Sequence, residues 1–235
     1  MSDGGTNTLI EARGLSAGYG KMPVVRDLDV RVDAGEVVAL IGANGAGKTT
    51  TLLTLAGELT PMTGEVRFLG ESTSAAMHVR CRTGLGYVTE ERSVIMNMSV
   101  ADNLKLAGVA PDVAFSYFPA LERTMSRRAG LCSGGEQQML SLARALGREP
   151  KVLLADELSL GLAPIIVTNL LGAVRSAASE RGVGVLLVEQ HVRQALKIAD
   201  RVYVMERGHI VLSGTTHEVA SQVDKIEAAY LAGSN

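Results

Sequence analysis

The sequence contains no tryptophan and only three phenylalanines and five tyrosines among 235 residues, so an aromatic at a functional position stands out. Its two cysteines, Cys81 and Cys132, lie far apart without C-x-x-C spacing. That pattern argues against a disulfide framework and a thiolate metal site, and fits a reducing cytosol. The four histidines, His78, His191, His209 and His217, form no pair with ligand spacing. A net charge of −2 and a pI near 6.1 provide no global basic field, so nucleic acid is not an expected partner. Apolar residues reach 46% and mean hydropathy is +0.19. Even so, no uninterrupted apolar run approaches the ~18 residues of a membrane-crossing helix, and none is expected. The opening MSDGGTNTLIEARG has neither the basic nor the apolar stretch of a secretory signal. Internal repeats and low-complexity segments are also lacking.

What the chain does have is glycine in ordered motifs. Residues Gly42 to Thr50 read GANGAGKTT, which fits G-x-x-x-x-G-K-S/T, with the apolar run Val37–Ile41 before it and a helix-like stretch from Thr49 to Ala56 after it. Gly42, Gly45 and Gly47 allow a tight backbone path, so that N–H groups from Asn44 through Gly45, Ala46, Gly47, Lys48, Thr49 and Thr50 can turn toward phosphate oxygens. The following helix adds its positive end, worth roughly 0.3–1 kcal/mol for a nearby anion. Lys48 supplies a full charge for the β- and γ-phosphates. The Thr49 hydroxyl is the expected Mg²⁺ ligand, because Mg²⁺ prefers hard oxygen donors.

Periodicity places the remaining elements. From Leu9 to Val32, short alternations broken by Gly18, Gly20 and Pro23 predict antiparallel strands, ending at the turn Asp33-Ala34-Gly35. A turn at Pro61–Gly64 leads into a strand over Glu65–Leu69. Helical spacing runs from Ser99 to Arg128, interrupted by Pro111 and Pro119, and predicts a small helical lobe over about residues 93–130. Ser133 and Glu136 form a capping box ahead of a helix over Gln137–Leu146. Then follow a strand over Lys151–Ala155, a helix over Pro164–Glu180, a strand over Val183–Val188, a helix over His191–Ala199, and a strand pair over Arg201–Met205 and His209–Leu212. Buried strands alternating with helices imply a mostly parallel sheet covered on both faces.

Asp156 ends a buried run, which puts its carboxylate at the carboxyl end of a strand on the ligand side; it is the expected Mg²⁺ holder. Glu157, next in the chain, is placed to act as the base for an attacking water. His191 likewise follows a core strand, Val185–Val188, and is a candidate γ-phosphate contact. Tyr19, between Gly18 and Gly20, is a candidate to stack on a purine ring. Ser133, Gly134 and Gly135 open a second helix N-terminus and hence a second anion site, although the Lys48 loop already accommodates a triphosphate. A two-fold dimer resolves this, with each Ser133 helix facing the nucleotide on its partner's loop.

Taken together, these residues resemble an ATP-binding cassette (ABC) subunit over essentially the whole chain. Tyr19 matches the adenine-stacking position, Gly42–Thr49 the Walker A motif, Ser133–Gln137 the signature, Val152–Glu157 the Walker B motif and His191 the switch histidine. Gly86–Glu90 leading to Arg92, Ser133–Leu140 and Ser159–Pro164 are similar to the smaller cassette subunit of branched-chain amino-acid importers, a group that also contains urea and amide importers. The resemblance implies a P-loop NTPase (RecA-like) α/β fold across residues 1–235. Its parts are a mostly parallel sheet, an N-terminal antiparallel β-subdomain and an inserted α-helical subdomain. It further implies ATP and Mg²⁺ as ligands, a second cassette chain, integral membrane permease subunits, indirectly an extracytoplasmic solute-binding protein, and a position on the inner face of the cell membrane. Exporter, lipid-transport and non-transport cassettes are the alternatives.

Three departures bear on mechanism. Glu90 takes the place of a metal-sensing glutamine, as in the branched-chain sub-family, and is an expected metal contact. Leu158 replaces the proline after the catalytic glutamate, which is expected to loosen Glu157 and slow turnover. Cys132 replaces a signature leucine, a swap expected to be tolerated. A role for the tail Asp224–Asn235 in regulation stays open.

Overall fold

The computed structural model of the chain describes residues 7–224 and residue 226. All but the first residues of the tail therefore lie outside the described residues. The chain opens with a long hairpin, β1 (Thr8–Tyr19) and β2 (Met22–Asp33), whose buried residues alternate along both strands. Strand β3 (Val37–Gly42) is buried at every position and leads through the loop 43–47 into helix α1 (Lys48–Ala56). Strands β4 (Thr63–Phe68) and β5 (Glu71–Ser72) complete the first sheet, in the order β2-β1-β4-β5 and antiparallel throughout. Helix α2 (Met77–Thr83) and strand β6 (Leu85–Val88) follow.

The helical lobe contains α3 (Val100–Ala107), α4 (Pro111–Tyr117) and short 3₁₀ turns at Pro119–Thr124 and Ala129–Leu131. Pro111 and Pro119 each begin a new helix, where a missing N–H costs nothing. Next come α5 (Gly134–Leu146), β7 (Val152–Asp156), α6 (Pro164–Arg181), β8 (Gly184–Glu189), α7 (Val192–Ala195), β9 (Arg201–Glu206), β10 (His209–Thr215) and α8 (Thr216–Ala220). The second sheet has the order β10-β9-β3-β8-β7-β6, with every neighbour parallel except β10 on β9.

The two sheets bury two apolar clusters on opposite faces of the parallel sheet. Val37, Ala39 and Ile41 point into the cluster that contains α5 and α6, whereas Val38 and Leu40 point into the cluster shared with the β1–β2 hairpin and α1. The period of two in β3 thus divides the core. Each fully buried Val, Leu or Ile contributes about 1.5–3 kcal/mol, so strand β3 alone fixes the starting point of the glycine loop firmly. At the far end of α1 the fully buried Arg80 donates to the carbonyls of Leu55 (2.5 Å) and Ala75 (2.8 Å). Its cation there complements the helix dipole, and burial pulls its pKa down.

Several local expectations shift. Helix α5 begins at Gly134, with the predicted capping box on Ser133, three residues ahead of the predicted start. Strands β7 and β8 each extend one residue further, to Asp156 and Glu189. The helix expected over His191–Ala199 covers only Val192–Ala195, because Lys197 and Ile198 donate to carbonyls three residues back and tighten the turn. Helix α2, strand β6 and helix α8 carry too few residues for a periodic signal.

Candidate nucleotide-binding site

The glycine loop links the buried end of β3 to the first turn of α1. Gly47 has φ 109°, and a Cβ there would lie 2.6 Å from the Val25 side chain, so only glycine fits between the loop and β2. Lys48, 5% exposed, donates from Nζ to the carbonyls of Gly42 (2.9 Å) and Ala43 (3.2 Å) and stands 3.4 Å from Glu157 Oε1. The Thr49 hydroxyl donates to Asp156 Oδ2 at 3.0 Å. Strand β8 lies between β3 and β7, so these contacts reach across an intervening strand to join the loop to the Asp156-Glu157 pair.

A cleft of about 340 Å³ opens over this meeting point. The loop residues Asn44, Gly45, Gly47, Lys48, Thr49 and Thr50 line it together with Glu90 and Glu157, and Val24, Leu160 and Gln190 complete the lining. Gly42 and Ala46 are buried beneath the loop. Burial pushes the Asp156 carboxyl up to about 6; the Thr49 hydroxyl opposes the shift, and the neighbouring charges of Glu157 and Glu90 reinforce it. Asp156 Oδ1 is buried with no hydrogen-bond partner. A hard divalent cation held by Thr49 and Asp156 would satisfy that orphaned oxygen and offset the repulsion between the carboxylates. Among the described residues no group of three or more His, Cys, Asp or Glu side chains forms a metal cage. The donors present, the Thr49 hydroxyl and the Asp156 carboxylate, are hard oxygens and suit Mg²⁺, which takes few protein ligands and keeps waters and phosphate oxygens.

Glu157 has φ 46°, a left-handed conformation that is rare for a residue with a side chain. Its N–H donates to Val188 O at 3.0 Å, and Leu158 is buried in the larger apolar cluster. Leu158 thereby anchors the segment that follows Glu157. Cys132 is buried in the same cluster, in keeping with a small apolar replacement.

Five predicted residues, at three places in the chain, lie away from this cleft's lining. Tyr19 ends β1 and is 56% exposed. His191 is exposed at the N-terminus of α7, one residue past Gln190, which does line the cleft. Exposed Ser133, half-buried Gly134 and buried Gly135 open α5 elsewhere: Ser133 Oγ accepts from Glu136 N, and a Cβ on Gly135 would come within 3.0 Å of Ile166. Above Gly134 sits the guanidinium of Arg92, which donates to Gln137 Oε1 at 3.4 Å. Sequence reasoning missed Val24, Leu160 and Gln190, none of which carries a motif of its own.

The model of the ABC transporter family matches residues 25–159. The chain belongs to that family and is an ABC ATPase that binds ATP. It is 42% identical over 229 residues to the high-affinity branched-chain amino acid transport ATP-binding protein BraG of Pseudomonas aeruginosa, covering 93% of this chain and 97% of the relative. The probable branched-chain amino acid transport ATP-binding protein LivF of Archaeoglobus fulgidus is 35% identical, with 87% and 91% covered. The lipopolysaccharide export system ATP-binding protein LptB of Acidithiobacillus ferridurans is 36% identical, with 90% and 92% covered. A solved ATP-binding subunit of an ABC transporter superposes with a TM-score of 0.82 at 27% identity, covering 95% of this chain and all of that one. The expected fold class is borne out.

Proposed function

We propose that the chain is the ATP-hydrolysing subunit of a branched-chain amino-acid importer, acting from the cytoplasmic face of the cell membrane. The observation that carries hydrolysis is the convergence of Lys48, Thr49 and Glu157 at one cleft, with the buried Asp156 hydrogen-bonded to Thr49. Lys48 and the loop N–H groups bind the β- and γ-phosphates. Thr49 and Asp156 would hold Mg²⁺, and Glu90 lines the same cleft. When bound, that ion neutralises charge on the phosphate oxygens. An anionic phosphate draws Lys48 away from Glu157, which leaves the Glu157 carboxylate to take the proton of the attacking water. His191 contacts the γ-phosphate, and Tyr19 stacks on the base. Ser133, Gly134 and Gly135 act on the nucleotide of a second cassette chain, since they stand apart from this chain's own cleft.

A permease would seat in the groove of about 800 Å³ between α2, β6, α3 and α5, lined by Met77, Cys81, Tyr87, Leu106 and Arg144. Leu106 is 61% exposed there, and Ile95, Met96 and Met98 are exposed on the same lobe. No helix among the described residues is long and apolar enough to cross a membrane; the membrane passage is assigned to the permease. A solute-binding protein would deliver substrate on the far side. BraG and LivF support leucine, isoleucine and valine as cargo. The LptB relatives support lipid export as a second reading; Glu90, where exporter cassettes are expected to place glutamine, counts against it.

The test is uptake of labelled leucine, isoleucine, valine, a polar amino acid and urea in cells carrying Glu157→Gln. Selective loss of the three branched-chain substrates is expected. Loss of urea uptake alone would move the assignment to the urea and amide group, and intact uptake with defective lipopolysaccharide export would overturn it in favour of the second reading.

A further inference from the structure

Glu189 ends β8, is completely buried, and faces Ser159 in the segment that follows Glu157. Its Oε1 accepts the Ser159 N–H at 3.2 Å and its Oε2 accepts the Ser159 hydroxyl at 2.7 Å. Ser159 is itself only 5% exposed. Among the described residues no cation pairs with Glu189, and burial pushes its carboxyl up to about 7. A buried carboxyl without a counter-charge is an expensive way to join two segments if packing alone were needed.

Its location gives the arrangement meaning. Strands β7 and β8 run in parallel register up to Asp156 and Val188, and the Glu157 N–H still reaches Val188 O. There the ladder ends, because Glu157 turns to positive φ. The Glu189–Ser159 pair takes over from the backbone and continues the pairing beyond the sheet. Leu160 follows Ser159 and Gln190 follows Glu189, and both line the nucleotide cleft. One two-pronged contact thus spans the loop carrying Glu157 and the loop carrying His191. Two acceptor atoms are needed to take both Ser159 donors, and a carboxylate provides them.

We propose that Glu189 is a positioning residue that locks the 157–162 loop to the 189–192 loop through Ser159, so that both close on the γ-phosphate as one unit. This rests on the reading of the cleft as an ATP-hydrolysing site. Glu189 touches no reacting atom; it acts through Ser159 on the placement of Glu157.

The experiment compares full-length wild type, Ser159→Ala, Glu189→Ala and Glu189→Gln by steady-state ATP hydrolysis and by hydrogen exchange with and without MgATP. In wild type, MgATP protects both loops together. In the two alanine variants, protection persists at 189–192 but is lost at 157–162. There kcat falls about tenfold while KM for ATP stays within about twofold, since misplaced groups cost turnover rather than binding. Glu189→Gln, which accepts the Ser159 N–H and donates to its hydroxyl, restores both readouts. Alanine variants with wild-type kcat and joint protection would overturn the proposal, as would a glutamine variant no better than alanine. If Glu189→Ala does not fold, Ser159→Ala and Glu189→Gln decide between these outcomes. Should wild type itself neither bind nor hydrolyse MgATP, the functional reading fails. The lock is then judged separately: faster nucleotide-free exchange of the Ser159 amide in Glu189→Ala than in Glu189→Gln supports it, and equal exchange overturns it.

Discussion

The two helix N-termini that begin beside glycine, α1 at Lys48 and α5 at Gly134, contrast sharply. The first lies at the end of a fully buried strand, and Lys48, Thr49, Asp156 and Glu157 converge on it within 3.4 Å of one another in pairs. The second closes on itself: Glu136 accepts from Ser133 N at 2.7 Å, Ser133 Oγ accepts from Glu136 N, and Arg92 covers Gly134. Both ends can attract an anion through their dipoles, yet only the first has the carboxylates needed for chemistry. A half-site assembled within the chain and a half-site without catalytic groups of its own make sense as complementary halves supplied by two chains.

The largest test of this contrast is Glu157→Gln. Loss of a general base lowers kcat by roughly 10²–10⁴-fold, and ATP binding should persist; rapid hydrolysis by this variant would remove Glu157 from that role. Leu158→Ala asks whether the first half-site depends on its anchor. A stability loss of about 2–5 kcal/mol is expected for a buried leucine, measured by urea unfolding, whereas an unchanged midpoint would show that Leu158 does not hold the segment.

Glu189 gives a pH test. Its folded pKa of about 7 lies above the ordinary 4.5, so the native state holds a proton that the unfolded state has released. Its stabilising contribution is complete below about pH 4.5 and is lost as pH rises to about 7, by at most about 3 kcal/mol. Asp156, raised to about 6, pushes in the same direction. Relative to wild type, Glu189→Gln should gain stability between pH 5 and pH 8 in denaturant titrations; parallel profiles would contradict the shift. The smallest effect belongs to the second half-site. Ser133→Ala removes a helix cap worth about 1 kcal/mol, and it should reduce hydrolysis without weakening ATP binding by the isolated chain. Weakened binding there would place Ser133 in the chain's own cleft.

The phosphate loop, the acid pair and the capping box were legible from sequence because each is local: a few consecutive residues carry both the conformation and the chemistry. Strand β6 was not, since four residues, Leu85–Val88, contain too little periodicity, and its place at the edge of the parallel sheet depends on pairing with β7. Gln190 and Leu160 reach the cleft only because the ends of β8 and β7 emerge side by side. The burial of Leu158 was not legible for a related reason. Proline's effect on its neighbour is a local rule, whereas the burial of Leu158 is a property of the assembled core.

By itself, then, the sequence determined the nucleotide chemistry, the alternation of strands and helices, and the family, because glycine φ angles, strand periodicity and charge type are written in adjacent residues. Only the tertiary structure decided that β8 stands between the lysine loop and the acid pair, that Glu157 takes a left-handed turn, and that Glu189 grips Ser159. Those facts join residues dozens of positions apart, and the order in which strands pack in the sheet, which no single stretch of chain specifies, brings them within hydrogen-bond reach.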